Sequence, residues 1–178
     1  MKANIQAFKM PRYHEIPDIG LYLEQTIKYI NEVLYPLGCI EVTSSMVSNY
    51  VKKGYIDRPV KKQYSAEQIA RLFFLVMAKQ VLSMENIVIL FEMQKASYSS
   101  ESAYNRFCDE MEETLRYMFA QNDDTIDANM LETPDTPENK ILRSVVIAVS
   151  QIIYLNHCFE MRQEELKEMQ RSDGRLLF

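Results

Sequence analysis

The chain has 178 residues, 47% of them hydrophobic and 25% charged. That is enough apolar side chain for one core or two small ones, which excludes a wholly disordered chain. Four Gly and six Pro are too few for a β-rich protein, which needs a turn every ~8–12 residues, whereas 11 Met with abundant Leu, Ile and Glu suit helices. A mostly α-helical protein is expected.

Cys39, Cys108 and Cys158 are an odd, widely spaced set, and Met1 to Met10 holds no long apolar run, which points to a reducing cytoplasm without structural disulfides. No stretch is expected to span a membrane: the best one, Ile141 to Leu155, is interrupted by Arg143, Ser144, Ser150 and Gln151. The net charge of −5 is unevenly placed, at +2 over residues 1–17, −3 over 18–42, +4 over 43–95 and −8 over 96–178. A basic segment inside an acidic chain is the pattern of one module that meets a polyanion and a remainder that does something else.

In chain order, residues 1–17 read as a mobile N-terminal arm carrying Lys2, Lys9 and Arg12. Ile16, Ile19, Leu23, Ile27, Ile30 and Leu34 then mark one face of a long helix, with Pro17 and Asp18 in its first turn and Pro36 and Gly38 stopping it. Thr43 is the expected N-cap of a short helix running to about Lys53, with Gly54 taking the left-handed position that ends it. Tyr55 to Tyr64 reads as a loop or small hairpin. Ser65 and Gln68 form a capping box for a helix whose inner face is Ile69, Leu72, Phe73, Val76 and Met77, ending near Val81. Ser83 caps the next, with Ile87, Leu90 and Phe91 inward, and a domain boundary is expected near 96–100. Tyr104, Phe107, Met111, Leu115 and Met118 stripe another helix. The acidic segment Asn122 to Glu138 reads as an exposed connection, and Thr136 and Pro137 open the last helix. That helix is apolar on most sides from Ile141 to Leu155, so central burial is expected, in its own domain or between two subunits. Beyond Glu160 only Leu166 and Met169 continue the stripe.

The short helix carries the most informative face. Val47, Tyr50 and Val51 fall inward at 100° per residue, leaving Ser44, Ser45, Ser48, Asn49 and Lys52 outward. Ser and Asn compete with the helical backbone for hydrogen bonds, so a face built of them departs from an ordinary solvated surface. Small polar side chains allow close entry into a major groove, where Asn can bond adenine twice and hydroxyls can bond bases or phosphates. Arg58, Lys61, Lys62 and Tyr64 follow at once, with cations at a spacing suited to phosphates.

Val42 to Ile56, the basic Asp57 to Gln63, Tyr64-Ser65 opening the next helix and Leu82 to Ile87 together resemble the winged helix-turn-helix of MerR-type transcription regulators. The chain also resembles an uncharacterised bacterial family that pairs this module with a helical C-terminal region. Ser48-Asn49-Tyr50 stands where MerR-type proteins usually have Arg-Tyr-Tyr. The resemblance implies a DNA-binding domain over 18–95 and a helical dimerisation or effector region over 96–178. It places Thr43, Ser44, Ser45, Ser48, Asn49, Lys52 and Lys53 on the DNA side of the recognition helix, and Arg58, Lys61, Lys62 and Tyr64 in a basic wing. Val145, Val149, Ile152 and Ile153 are the candidate dimer core, and any small-molecule effector is expected between 104–119 and 141–161.

Two histidines, no CxxC pair and four scattered glycines offer no metal site, cofactor loop or catalytic constellation, so no enzyme is expected. Cys158 reads as a buried small apolar residue. The expected function is sequence-specific binding of double-stranded DNA by a homodimeric regulator; the alternative is a protein-interaction module that uses the helices as a scaffold.

Overall fold

A computed structural model describes residues 5–38, 40–120 and 136–173, and the protein is mainly α-helical. Strand β1 (Leu21–Tyr22) leads into α1 (Leu23–Leu34), followed by α2 (Ser44–Lys52), β2 (Gln63–Tyr64), α3 (Ala66–Ala78), α4 (Met84–Ser97), α5 (Ser100–Met118) and α6 (Pro137–Asp173). β1 and β2 pair antiparallel, with Leu21 opposite Tyr64 and Tyr22 opposite Gln63.

The helix expected from Ile16 starts seven residues later, at Leu23. Gly20 takes φ +80, which a helix cannot continue through, and its Cα lies so close to Gln63 that a Cβ there would meet the Gln63 Cβ at 3.0 Å. Residues 21–22 are instead drawn into the two-stranded sheet, and Gln25 Oε1 accepts from the Tyr22 backbone N–H at 2.9 Å to cap the helix. Ile16 remains buried while Ile19 is exposed. At the other end Gly38, at φ +74, closes the turn as its left-handed freedom allows.

The other caps follow the sequence. Thr43, Ser65 and Ser83 each accept a hydrogen bond from the backbone N–H three residues on, and Ser99, which the sequence reading did not single out, does the same for α5. The Ser65–Gln68 box is closed in both directions, and the Gln68 amide also donates to the Asp57 carbonyl at 2.8 Å, tying the basic loop to α3. Thr136 accepts from the Asn139 N–H to start α6. The acidic connection expected at 122–138 lies, but for its last three residues, outside the described residues.

α3 is the central helix. Every residue from Leu72 to Ala78 is buried, because α1, α5 and α6 all pack around it. The expectation of a centrally buried helix at 141–155 is corrected accordingly. α6 buries Leu142, Val145, Val146, Val149 and Ile153 against the core but leaves Ile141, Tyr154 and Leu155 exposed. By length and composition alone α6 could cross a membrane, contrary to the sequence expectation. However, its apolar face is occupied by α5, and Arg143 on it pairs with the nearly buried Glu110 of α5 at 3.3 Å.

From Ile5 onward the N-terminal arm is packed, not mobile. Ile5, Phe8 and Met10 are buried, and Glu112 of α5, its side chain 3% exposed, accepts from Lys9 Nζ at 2.6 Å, Arg12 Nη1 at 2.7 Å and the Met10 N–H at 2.9 Å. Arg12 reaches Asp109 as well, at 2.8 Å. A buried carboxylate needs such partners, and the arm supplies these three. Cys158, expected inside, is exposed; of the two described cysteines it is Cys108 that is buried, its pKa pushed up to about 12 by burial.

Candidate nucleic-acid interface

α2 is held by its approach as well as its cap. The Asn31 side chain on α1 bonds both backbone groups of Val42, donating to its carbonyl at 2.9 Å and accepting from its N–H at 2.8 Å. Val47 and Tyr50 anchor the inner face, and Lys79, the residue that caps the C-terminus of α3, donates to the Tyr50 hydroxyl at 3.1 Å. The outer face is left presenting Ser45, Ser48, Asn49, Lys52 and Lys53, all exposed. Thr43 is occupied as the cap, and Ser44 is half-buried, donating to Glu24 of α1 at 2.9 Å. Lys53 sits near Glu85, whose carboxyl is held below its ordinary value by hydrogen bonds at the start of α4, from its own backbone N–H and the Ser83 side chain, and by the Lys53 charge.

The basic segment forms a minimal hairpin. Val60 and Gln63 bridge across a two-residue turn, closed by the Gln63 N–H to the Val60 carbonyl at 2.9 Å. The turn residues are Lys61 at φ 51 and Lys62 at φ 66. Positive φ at both positions is the geometry that hairpins normally fill with Asn-Gly. A side chain carried there costs about 1 kcal/mol per residue. Arg58, Lys61 and Lys62 are exposed. Between residues 43 and 64 there are five cations and one carboxylate, Asp57, and Asp57 is turned toward Arg71 of α3 at 3.6 Å.

Tyr64 departs from expectation. It is 4% exposed, with β2 turning its ring into the core and burial raising its pKa; it supports the hairpin from beneath and is not on the charged face. Val145, Val149 and Ile153 of the candidate dimer core are likewise buried within the chain, and Ile152 is half-buried. In the 104–119 and 141–161 region, Phe119 stands edge-on to Tyr154 at 5.4 Å and Ser150 Oγ lies 3.5 Å from Met111 Sδ.

These elements define a small helical protein with a polar helix face beside a basic hairpin. The chain belongs to the family of the domain of unknown function (DUF1836), whose model matches residues 11–107, more than half of the chain. The match agrees with the resemblance to an uncharacterised family, and it runs from the packed arm into α5, across the boundary expected near 96–100. Neither the curated proteins nor the solved structures contain a match to the chain.

Proposed function

We propose that this protein is a sequence-specific DNA-binding regulator of cytoplasmic location, with α1 and α2 as a MerR-like helix-turn-helix, the hairpin around Lys61 and Lys62 as its wing, and a homodimer as the active form. The observation that carries this reading is the pair of lysines at positive φ. Two side chains kept in a strained turn, where Asn-Gly would be relaxed, need a use for their charge. Phosphates of a strand lying along the adjacent α2 face supply one. Asn49 and Ser45 would then read base edges, while Ser48, Lys52, Arg58, Lys61 and Lys62 hold the backbone.

One recognition helix reads too few base pairs for useful selectivity, and two related by a two-fold axis would read half-sites about 34 Å apart. The dimer contact falls on the part of α6 that the chain does not bury. Ile152, Leu155, Phe159, Arg162, Leu166 and Met169 recur at alternating steps of three and four, and Leu155, Phe159, Leu166 and Met169 are exposed. That is the spacing of a coiled-coil seam with one polar position, and a second copy of the same helix is its complement. Leu155→Lys with Leu166→Lys is expected to leave the fold intact and convert a dimer to a monomer, measured by sedimentation.

Selection of fragments from random DNA by the purified chain, at about 50 and 200 mM salt, tests the reading. An inverted repeat recovered at the lower salt is the expected result; no DNA at either salt overturns it. Asn49→Ala should weaken the selected site by about 1–3 kcal/mol and leave random DNA unaffected. Equal weakening of both would remove Asn49 as a base reader. The exposed apolar stripe on α6 favours one other reading, a protein-interaction module whose partner covers that stripe. Such binding would lack the steep salt dependence of a phosphate interface.

A further inference from the structure

Between α3, α4 and α5 lies a cavity of about 180 Å³, larger than the ~150 Å³ that holds a benzene ring in a protein interior. Its floor is aromatic: Phe74 stands 5.4 Å from Phe91 and 5.0 Å, edge-on, from Phe107. Arg71 lies over the Phe91 ring at 5.0 Å from its centre. Gln94, nine-tenths buried, also lines the space. Its amide N–H donates to the Glu138 carbonyl at 3.4 Å, which fixes the amide's orientation, and its Oε1 has no hydrogen-bond partner.

The charges at the mouth indicate the sign of the ligand. Glu67 accepts from Ser100 at 2.8 Å, and Lys95 is exposed. Arg71 is the less exposed member of the remaining pair, at 26% against 83% for Asp57, and the two are 3.6 Å apart. A half-buried guanidinium with a loosely held, solvated partner is poised to exchange it for a better-placed carboxylate.

We propose that this cavity binds a small aromatic carboxylate, its ring on the Phe74–Phe91–Phe107 floor and its carboxylate on Arg71, and that binding displaces the Asp57 side chain, taking from the loop that carries Arg58, Lys61 and Lys62 one of its two ties to α3 and leaving the Gln68 bond to the Asp57 carbonyl. The binding step stands on the cavity alone; its use as a regulator of DNA contact rests on the reading above.

Amide NMR of the full chain, titrated with 4-hydroxybenzoate in the absence of DNA, tests both steps independently of that reading. Saturable shifts are expected in α3 and α4 around the cavity and in residues 57–62, with Kd on the order of 10⁻⁴ M for a ligand of this size. Phenol should shift the cavity residues and leave the loop unmoved. Arg71→Lys should weaken 4-hydroxybenzoate about tenfold and phenol little, because the planar fork is lost while a cation remains. Asp57→Asn, at an exposed position that does not threaten the fold, should tighten 4-hydroxybenzoate about threefold by removing the competing carboxylate. Absence of saturable shifts at 10-fold that concentration overturns the site. Cavity shifts with an unmoved loop, or an unchanged Kd in both variants, overturn the exchange at Arg71. If these shifts occur and the DNA selection fails, the DNA reading falls and the binding site stands.

Discussion

Glu112→Ala is expected to destabilise the protein by about 3–5 kcal/mol, the usual result of removing one partner from a buried charge cluster. The carboxylate gathers Lys9, Arg12 and the Met10 N–H onto α5, so its loss leaves the half-buried Arg12 guanidinium with Asp109 and the Met10 carbonyl and loosens the arm that buries Ile5, Phe8 and Met10. Urea unfolding followed by circular dichroism measures the change. The same network sets a pH dependence. Burial raises the Glu112 pKa, but the hydrogen bonds from Arg12, Lys9 and the Met10 backbone outweigh it and hold the carboxyl below its ordinary range. A group whose folded pKa is depressed contributes stability that is present above its unfolded value, near 4.3, and lost as pH falls through the folded value. The wild-type chain should therefore lose stability in that acid window, and Glu112→Gln should lose less across it. Equal acid sensitivity in both would assign the loss to other carboxylates.

Lys61→Asn with Lys62→Gly is expected to reduce DNA affinity by about two orders of magnitude while leaving the fold as stable or more so. Each lysine that neutralises a phosphate adds about 0.9 to the slope of log affinity on log salt, so the pair should lower that slope by about two for each protomer on the DNA. The stability arm of the prediction comes from the turn. Asn and Gly accept φ 51 and φ 66 more easily than Lys does, so the hairpin relaxes as its charge is removed. A loss of DNA affinity with an unchanged melting temperature separates the use of the charge from damage to the hairpin. Unchanged affinity would demote the turn to an ordinary surface.

Much of the local structure was legible in the sequence. The caps at Thr43, Ser65, Ser83 and Thr136 are written within three residues of the N–H they bond, so short-range chemistry suffices to find them. The α2 faces followed from the helical period, since Val47 and Tyr50 are buried and Ser45, Ser48 and Asn49 exposed. The hairpin was anticipated only loosely, because Lys-Lys gives no turn signal; its positive φ values are imposed by the pairing of Val60 with Gln63.

The misplacements share a physical cause. The Ile16–Leu34 stripe continues through Gly20, and only the partner strand at Gln63 and Tyr64 decides that Leu21 and Tyr22 pair as a strand. Tyr64 follows basic residues in the sequence, yet strand alternation turns it inward. Leu72 to Ala78 is an unbroken apolar run, which could have flagged α3 as the central helix, while the apolar residues at 141–155 drew attention to α6. The Glu112 cluster joins residues about a hundred positions apart, and nothing in the local pattern of either end names the other.

The sequence by itself determined the helical class, where most helices begin, and which face of α2 is polar, because periodicity and capping act over a few residues. The tertiary structure alone decided that the arm is fastened to α5, that Val145, Val149 and Ile153 are used within the chain, and that Arg71, Phe91 and Gln94 surround one cavity. Those outcomes depend on which surfaces meet across long stretches of chain, where burial and charge pairing, acting between distant residues, choose among partners that local propensity leaves equivalent.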